Sequence, residues 1–207
     1  IRKNFKVKMK LLAVTGIRSE YDILKPILKA LIKKKVNCKL VVTGAHLSDT
    51  HGSTINLILK DGFKILDRID SLLSTNRLIQ RPKAIGSVIQ GLTESVEKDK
   101  PDILLVVGDR EESLATAIVG NYMNILVAHV GGGDPVYGNA DDPVRFATSK
   151  LSHIHFCFSR QYANNLRKVG EEKYRIFNTG NPSFSNIRDT KKVSISNIFS
   201  KLNIGKN

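Results

Sequence analysis

Residues 103–130 read ILLVVGDREESLATAIVGNYMNILVAHV. Two apolar, mostly aliphatic runs, 103–107 and 125–130, flank a segment of helical character over 111–123. Continuous apolar runs of that length suit strands buried on both faces, which is how parallel sheets are covered. Strand, helix, strand in this order implies parallel neighbours joined by a right-handed crossover. The stretch therefore places the chain in the α/β class.

The same alternation extends in both directions. Further strands are expected at 11–15, 38–43, 154–158 and 175–179, with a shorter one at 63–66. Between them, 20–34 carries one apolar stripe of Ile23, Leu24, Ile27, Leu28 and Leu31 with lysines opposite, the period of an amphipathic helix. Pro26 starts or kinks that helix rather than forbidding it. Other helices are expected at 54–60, 83–97, 143–151 and 160–169. The whole is a doubly wound, mostly parallel Rossmann-like sheet. Residues 1–8 read as a basic N-terminal extension and 9–180 as the lobe itself. After Gly180 the chain turns polar, with one amphipathic stretch at 198–202, so 181–207 reads as a linker and the start of a lobe that is missing.

A chain of 207 residues buries roughly 70% of its extended surface on folding and needs no covalent staple. Hydrophobic residues make up 41% and charged residues 25%, the balance of a soluble globular domain. No apolar run approaches the ~18 residues of a membrane span, and LLAV after the basic opening is too short for a signal peptide. Cys38 and Cys157 sit in apolar runs and read as free buried thiols, which places the protein in the cytoplasm. The net charge of +14 raises nucleic acid as a partner, but the lysines are scattered or line one helix face and no basic motif is interleaved with aromatics. Neither nucleic acid nor membrane is expected.

In sheets of this kind, ligands bind beyond the carboxyl ends of the strands. Four such ends carry unusual chemistry. In VTGIRSEYD, Ser19 is placed to cap the next helix with Asp22 at its third position, and Arg18 stands where helix amides favour an anion. VVTGAHLSDTHG puts His46 and His51 in the loop after another strand. In LLVVGDREE, Asp109 and Glu112 read as a capping pair, and Asp109 beside Arg110 suits a base or a ribose contact. In HVGGGDPVYGNADDP, Pro143 fits the first helical position, which makes Asp142 the cap and leaves Asp141 free to face a cleft. Arg145, one turn on from Asp141, pairs with it or with phosphate. His153 and His155, two apart in LSHIHF, share one strand face as ligands or as buried hydrogen-bonded groups.

Taken together, TGIRSEYD, VTGAHLS…HG, VVGDREESLATA, AHVGGGD, DDPVRFATSKLSHIHF and TGNPSF resemble, in order and spacing, the hydrolysing UDP-N-acetylglucosamine 2-epimerases over roughly residues 9–187. The resemblance implies the first lobe of a two-lobed, glycosyltransferase-B-like enzyme, with a nucleotide sugar between the lobes. Without the second lobe, which supplies much of the uridine and diphosphate binding, this chain would be inactive. The implied reaction is an anti elimination of UDP from a UDP-2-acetamido sugar, then hydration to the free 2-epimeric sugar, in the synthesis of sialic-type acids or surface polysaccharide. It needs no cofactor and no metal, and the family implies a homo-oligomer. Carried over by motif, Asp109 and Asp141 are the acid/base residues, Arg18 and Arg110 contact the diphosphate, and His46, His153 and His155 line the site with Arg145. Many members carry a glutamate where this chain has Gly131; Asp134, three residues on, is the candidate substitute. That departure keeps UDP-N,N'-diacetylbacillosamine open as the substrate beside UDP-N-acetylglucosamine.

Three other readings compete. A metallophosphoesterase is echoed by GDREE, GNADD and HIH but lacks the Asp-x-His after its first strand. A glycosyltransferase lobe shares the fold, and fold alone does not separate it from an epimerase. A nucleic-acid-binding module rests on charge alone.

Overall fold

The computed structural model describes residues 9–73, 77–138, 140–189 and 193–202. The basic extension and part of the polar tail lie outside the described residues. The strands are β1 (Lys10–Thr15), β2 (Asn37–Thr43), β3 (Ile65–Ile69), β4 (Ile103–Val107), β5 (Leu126–Val130), β6 (Ile154–Cys157) and β7 (Ile176–Asn178). The helices are α1 (Arg18–Lys33), α2 (Ile55–Lys60), α3 (Gln80–Asp99), α4 (Glu111–Tyr122), α5 (Asp141–Lys150), α6 (Arg160–Lys168), α7 (Phe184–Asp189) and α8 (Ile195–Leu202). All seven strands are parallel, in the order β3-β2-β1-β4-β5-β6-β7.

The doubly wound, parallel α/β class is the one the alternating runs imply. The shorter strand expected at 63–66 forms as β3, two residues later, and α7 was not expected. Two cores form because successive strand side chains point to opposite faces. Leu11, Ala13, Leu40, Val42, Leu105 and Val107 pack against Tyr21, Leu24 and Leu28 of α1 and Ile55 and Ile58 of α2. Leu12, Val14, Val41, Leu104 and Val106 pack against Val88, Leu92 and Val96 of α3 and Ala115 and Val119 of α4.

Pro26 lies in the interior of α1, where it cannot donate to the carbonyl of Asp22 four residues back. Asn186 of α7 fills that gap, its amide nitrogen donating to the Asp22 oxygen at 2.7 Å. Thus α7 is docked on the one turn of α1 that proline leaves open.

Both expected helix caps are corrected. Helix α1 begins at Arg18 after Ile17, with no side-chain cap, so Ser19 is already helical; the Gly16 amide is instead taken by Glu20 Oε2 at 3.1 Å. Helix α5 begins at Asp141, so Pro143 is its third residue and Asp142 is no cap. Asp142 Oδ1 reaches back to accept from the Val136 amide at 2.9 Å and closes the preceding loop. Asp109 and Glu112 are not a capping pair either, since α4 starts after Arg110 without a side-chain cap.

Candidate active site

With every strand parallel, the carboxyl ends of β1, β2, β4 and β5 fall on one edge, and the segments leaving them form a rim. The β4 end presents Asp109, Arg110, Glu111 and Glu112; the β5 end presents Gly131 to Asp134; and the start of α5 presents Asp141 and Arg145. Three guanidiniums knit these acids together.

Arg145, 8% exposed, is the first. Its Nη2 is hydrogen-bonded to Asp109 Oδ2, its Nη1 donates to the Gly131 carbonyl at 2.8 Å, and Nη1 lies 3.8 Å from Asp134 Oδ2. Asp109 and Asp134, from neighbouring strand ends, thus meet at one cation. Tyr162 of α6 hydrogen-bonds Asp134, and that contact with the carboxylate pushes the phenol's pKa up.

Arg81, near the start of α3, is the second. It pairs with Glu111 through Nε, and its Nη2 donates to Asp141 Oδ1 at 2.8 Å. Arg110 is the third, with Nη2 3.5 Å from Glu111 Oε2 and Nε 3.5 Å from Glu112 Oε2. Those are ion contacts too long to be good hydrogen bonds, and Arg110 Nε, Glu111 Oε2 and Glu112 Oε2 are buried without hydrogen-bond partners. Arg81, Arg110, Glu111, Glu112, Asp141 and His51 border a cavity of about 330 Å³ that opens at the rim.

Below that cavity, Glu112 occupies a notch between two glycines. A Cβ on Gly16 would lie 2.1 Å from Glu112 Oε1, and one on Gly44 would lie 2.4 Å from it. Only glycine at both strand ends leaves room for this carboxyl group. Burial, reinforced by the charge of Glu112, holds Glu20 well above the usual carboxylate range, and burial also raises Glu112. Two neighbouring buried acids that both resist ionisation keep protons that exposed acids would lose.

The structure brings Asp109, Asp134, Asp141, Arg110 and Arg145 to this rim. Asp141 is not free, because Arg81 holds it, and Arg145 spends its fork on Asp109 and Gly131 rather than on Asp141. Arg18, the first residue of α1, is exposed and lies 3.9 Å from Asp22.

The three histidines expected to line the site do not. His46 is fully buried between Thr15 Oγ1 and Thr54 Oγ1, and burial pushes its pKa down to about 4. His153 precedes β6 at the opposite edge of the sheet, where its Nδ1 accepts from the Val127 amide at 3.1 Å. His155 is fully buried within β6 and sits 3.0 Å from Glu171, a carboxylate also held by Lys150 and Arg175. His51, in contrast, does reach the cavity.

Nothing in the order of residues marked Arg81 or Glu20 as rim residues. Arg81 reaches Asp141 across 60 positions, and that juxtaposition exists only once α3 crosses the sheet. The notch residues Gly16 and Gly44 did sit in the motifs, and their glycine identity was the available signal. Among the described residues no three His, Cys, Asp or Glu side chains cluster as a metal ion would require. No described helix is long and apolar enough to cross a membrane. Cys38 and Cys157 are both free, and burial lifts the Cys157 thiol to about 11.

A family model described as UDP-N-acetylglucosamine 2-epimerase matches residues 29–206. The chain is 38% identical over 183 residues to a UDP-N,N'-diacetylbacillosamine 2-epimerase (hydrolyzing) of Legionella pneumophila, covering 88% of this chain and 48% of that protein. It is 34% identical over 195 residues to a GDP/UDP-N,N'-diacetylbacillosamine 2-epimerase (hydrolyzing) of Campylobacter jejuni, covering 90% and 50%. In fold it is similar to the UDP-GlcNAc 2-epimerase of Neisseria meningitidis solved with UDP-GlcNAc bound, with a TM-score of 0.77, 24% identity, and coverage of 94% of this chain and 54% of that one. The chain spans about half the length of the curated relatives it matches.

Proposed function

Because the chain belongs to the UDP-N-acetylglucosamine 2-epimerase family, we propose that it forms the acid–base half of a two-lobed hydrolysing 2-epimerase. Residues 9–180 make the lobe, and the tail from 181 leads toward the second. The substrate is a UDP-2-acetamido sugar, with UDP-N,N'-diacetylbacillosamine favoured by the two relatives named for that sugar. The enzyme works in the cytoplasm as a homo-oligomer, in the supply of sialic-type acids or surface polysaccharide.

The reaction requires a carboxylate to take the C2 proton as the bond from C1 to the UDP oxygen breaks. Water then adds at C1 of the resulting glycal, and a proton returns to C2 on the other face, giving the free 2-epimer and UDP. Two proton transfers on two faces call for two acids. The observation that carries the reading is that Asp109 and Asp134 meet at Arg145, while Asp141, at the start of the helix that carries Arg145, is held by Arg81. A positioned acid or base of this kind contributes about 10²–10⁴-fold. Arg145 sets the spacing of two of these carboxylates, and Arg110 and His51 border the cavity that would receive the sugar end of the substrate.

The test is turnover of UDP-N,N'-diacetylbacillosamine by the intact protein in deuterium oxide. UDP release without an acceptor, with deuterium at C2 of the freed sugar, is expected. A product that keeps its C2 hydrogen, or release that needs an acceptor, refutes the proposal.

A further inference from the structure

We propose that His129, which no motif above assigns, is a positioning residue for Asp109, acting through a closed ring of contacts that ties the β4 turn to α5. The inference rests on the acid–base reading of this rim and names the part that fixes its geometry.

The ring can be followed atom by atom. His129, in β5, is fully buried. Its Nε2 lies 2.7 Å from the carbonyl oxygen of Gly108, and its Nδ1 lies 3.0 Å from Ser149 Oγ on α5. Ser149 Oγ is in turn 3.0 Å from the carbonyl of Arg145, one helical turn back. Arg145 is bonded to Asp109 Oδ2, and Asp109 follows Gly108 in the chain. Imidazole, glycine, aspartate, arginine and serine therefore close on themselves, the imidazole touching the residue before Asp109 and the residue one turn on from Arg145.

Chemistry fixes which proton the imidazole carries. A carbonyl oxygen only accepts, so Nε2 must bear the hydrogen and donate to Gly108. Nδ1 is then an acceptor, and the single Ser149 hydroxyl proton is shared between it and the Arg145 carbonyl, each 3.0 Å from Oγ. Burial pushes the His129 pKa down to about 3, so the ring stays neutral and keeps this tautomer across the working range of pH. A neutral, fixed imidazole suits a strut and does not suit a proton carrier.

The strut matters because the turn it holds is an unusual one. Gly108 has φ +83°, a left-handed conformation, and its amide donates to the Val130 carbonyl at 2.9 Å. The bond from His129 pins the next peptide unit, the one that joins Gly108 to Asp109. Asp109 therefore leaves a turn clamped from both sides, facing a guanidinium whose own helix is clamped by the same imidazole. A shift of about 1 Å in such a pair costs roughly 10²-fold in rate.

The experiment uses the intact protein and the variants His129→Leu and His129→Gln, with Ser149→Ala as a milder break should His129→Leu fail to fold. The glutamine amide restores a donor to Gly108; leucine does not. With UDP-N,N'-diacetylbacillosamine, His129→Leu is expected to lower kcat about 10²-fold with KM changed less than about threefold, and His129→Gln to recover most of the loss. In an Asp109→Asn background, His129→Leu is expected to cost little further. A purely structural histidine would cost the same factor in both backgrounds, and that result, or kcat of His129→Leu within about threefold of wild type, overturns the proposal. Should wild type prove inactive on UDP sugars, the proposed function falls while the strut is read directly by NMR. The Asp109 carboxyl carbon resonance is expected to move in His129→Leu and to stay at its wild-type position in His129→Gln; a resonance unmoved in both variants overturns the strut.

Discussion

Replacing Arg145 with lysine preserves the charge and removes the fork, and the structure sets what that removal costs. The guanidinium makes two hydrogen bonds in different directions, from Nη2 to Asp109 and from Nη1 to the Gly131 carbonyl at 2.8 Å, and it is only 8% exposed. A lysine ammonium at the end of a longer stem can reach one of these acceptors but lacks the planar fork that serves both. One hydrogen bond involving a charged group is lost, about 1.5–3 kcal/mol. At this chain length each kcal/mol shifts Tm by about 2–4 °C, so a drop of roughly 3–12 °C is expected for Arg145→Lys. Arg145→Met removes the cation altogether and leaves Asp109 facing apolar surface, which costs about 3–5 kcal/mol when one partner of a buried pair is removed. The assay is thermal denaturation followed by circular dichroism on Arg145→Lys, Arg145→Met, Asp109→Asn and the double variant Asp109→Asn/Arg145→Met. Contacting residues couple by about 0.5–3 kcal/mol, so the double variant should be less destabilised than the sum of its parts. Lysine and methionine variants of equal stability, together with additive losses in the double variant, would show that Arg145 does not link these elements as the geometry requires.

Three further outcomes follow from the rim. Asp134→Asn in the intact protein should lower kcat about 10²–10⁴-fold while leaving Tm within about 2 °C, since the half-buried carboxylate is proposed to carry chemistry more than fold; an equal loss of both would mark it as structural. Glu112→Gln should raise Tm at pH 8: burial raises the folded pKa of Glu112 above its unfolded value, so the folded state loses stability as pH climbs from about 4.3 through that raised value, and glutamine removes the loss. A Tm difference that shrinks or reverses by pH 4 completes that test, and a pH-independent difference contradicts it. Gly133→Ala places a Cβ 2.2 Å from the Tyr162 carbonyl at a φ of +78°, so a destabilisation of at least about 1–3 kcal/mol and a displaced Asp134 are expected; unfolding in urea at unchanged midpoint would refute the close packing of this turn on α6.

The sheet was legible because parallel strands buried on both faces must be apolar throughout, and runs such as ILLVV leave few alternatives. The convergence of Asp109, Asp134 and Asp141 on one rim was legible for a related reason, since parallel topology sends every strand's carboxyl end the same way. What the residue order left hidden is pairing at long range. Arg145 could be paired on paper only with a neighbour such as Asp141, whereas its partner is Asp109, 36 positions away. The histidines misled because a histidine beside a glycine turn reads the same whether it faces a ligand or, like His46, spans two threonines inside the fold. Caps misled likewise: Ser19 and Asp142 have the right chemistry for a helix start, but Gly16 and Val136 offered nearer work for the local carboxylates.

The charge inventory of the rim bears on which step of the proposed reaction these residues would serve. Six carboxyl groups, those of Glu20, Asp109, Glu111, Glu112, Asp134 and Asp141, crowd three guanidiniums, those of Arg81, Arg110 and Arg145. Each guanidinium is already engaged by carboxylates. A diphosphate brought here would compete for those guanidiniums with acids that are covalently fixed in place. In the proposed reaction the departing diphosphate would be stabilised by groups outside this rim, since Arg110 stands against Glu111 and Glu112 here. Proton transfer at a carbon is the step of the proposed reaction that such an acid-rich surface would serve. The two demands of the proposed reaction, a base at C2 and a cation at the diphosphate, are opposite in sign, and dividing them between two lobes keeps each charge from neutralising the other before the substrate arrives.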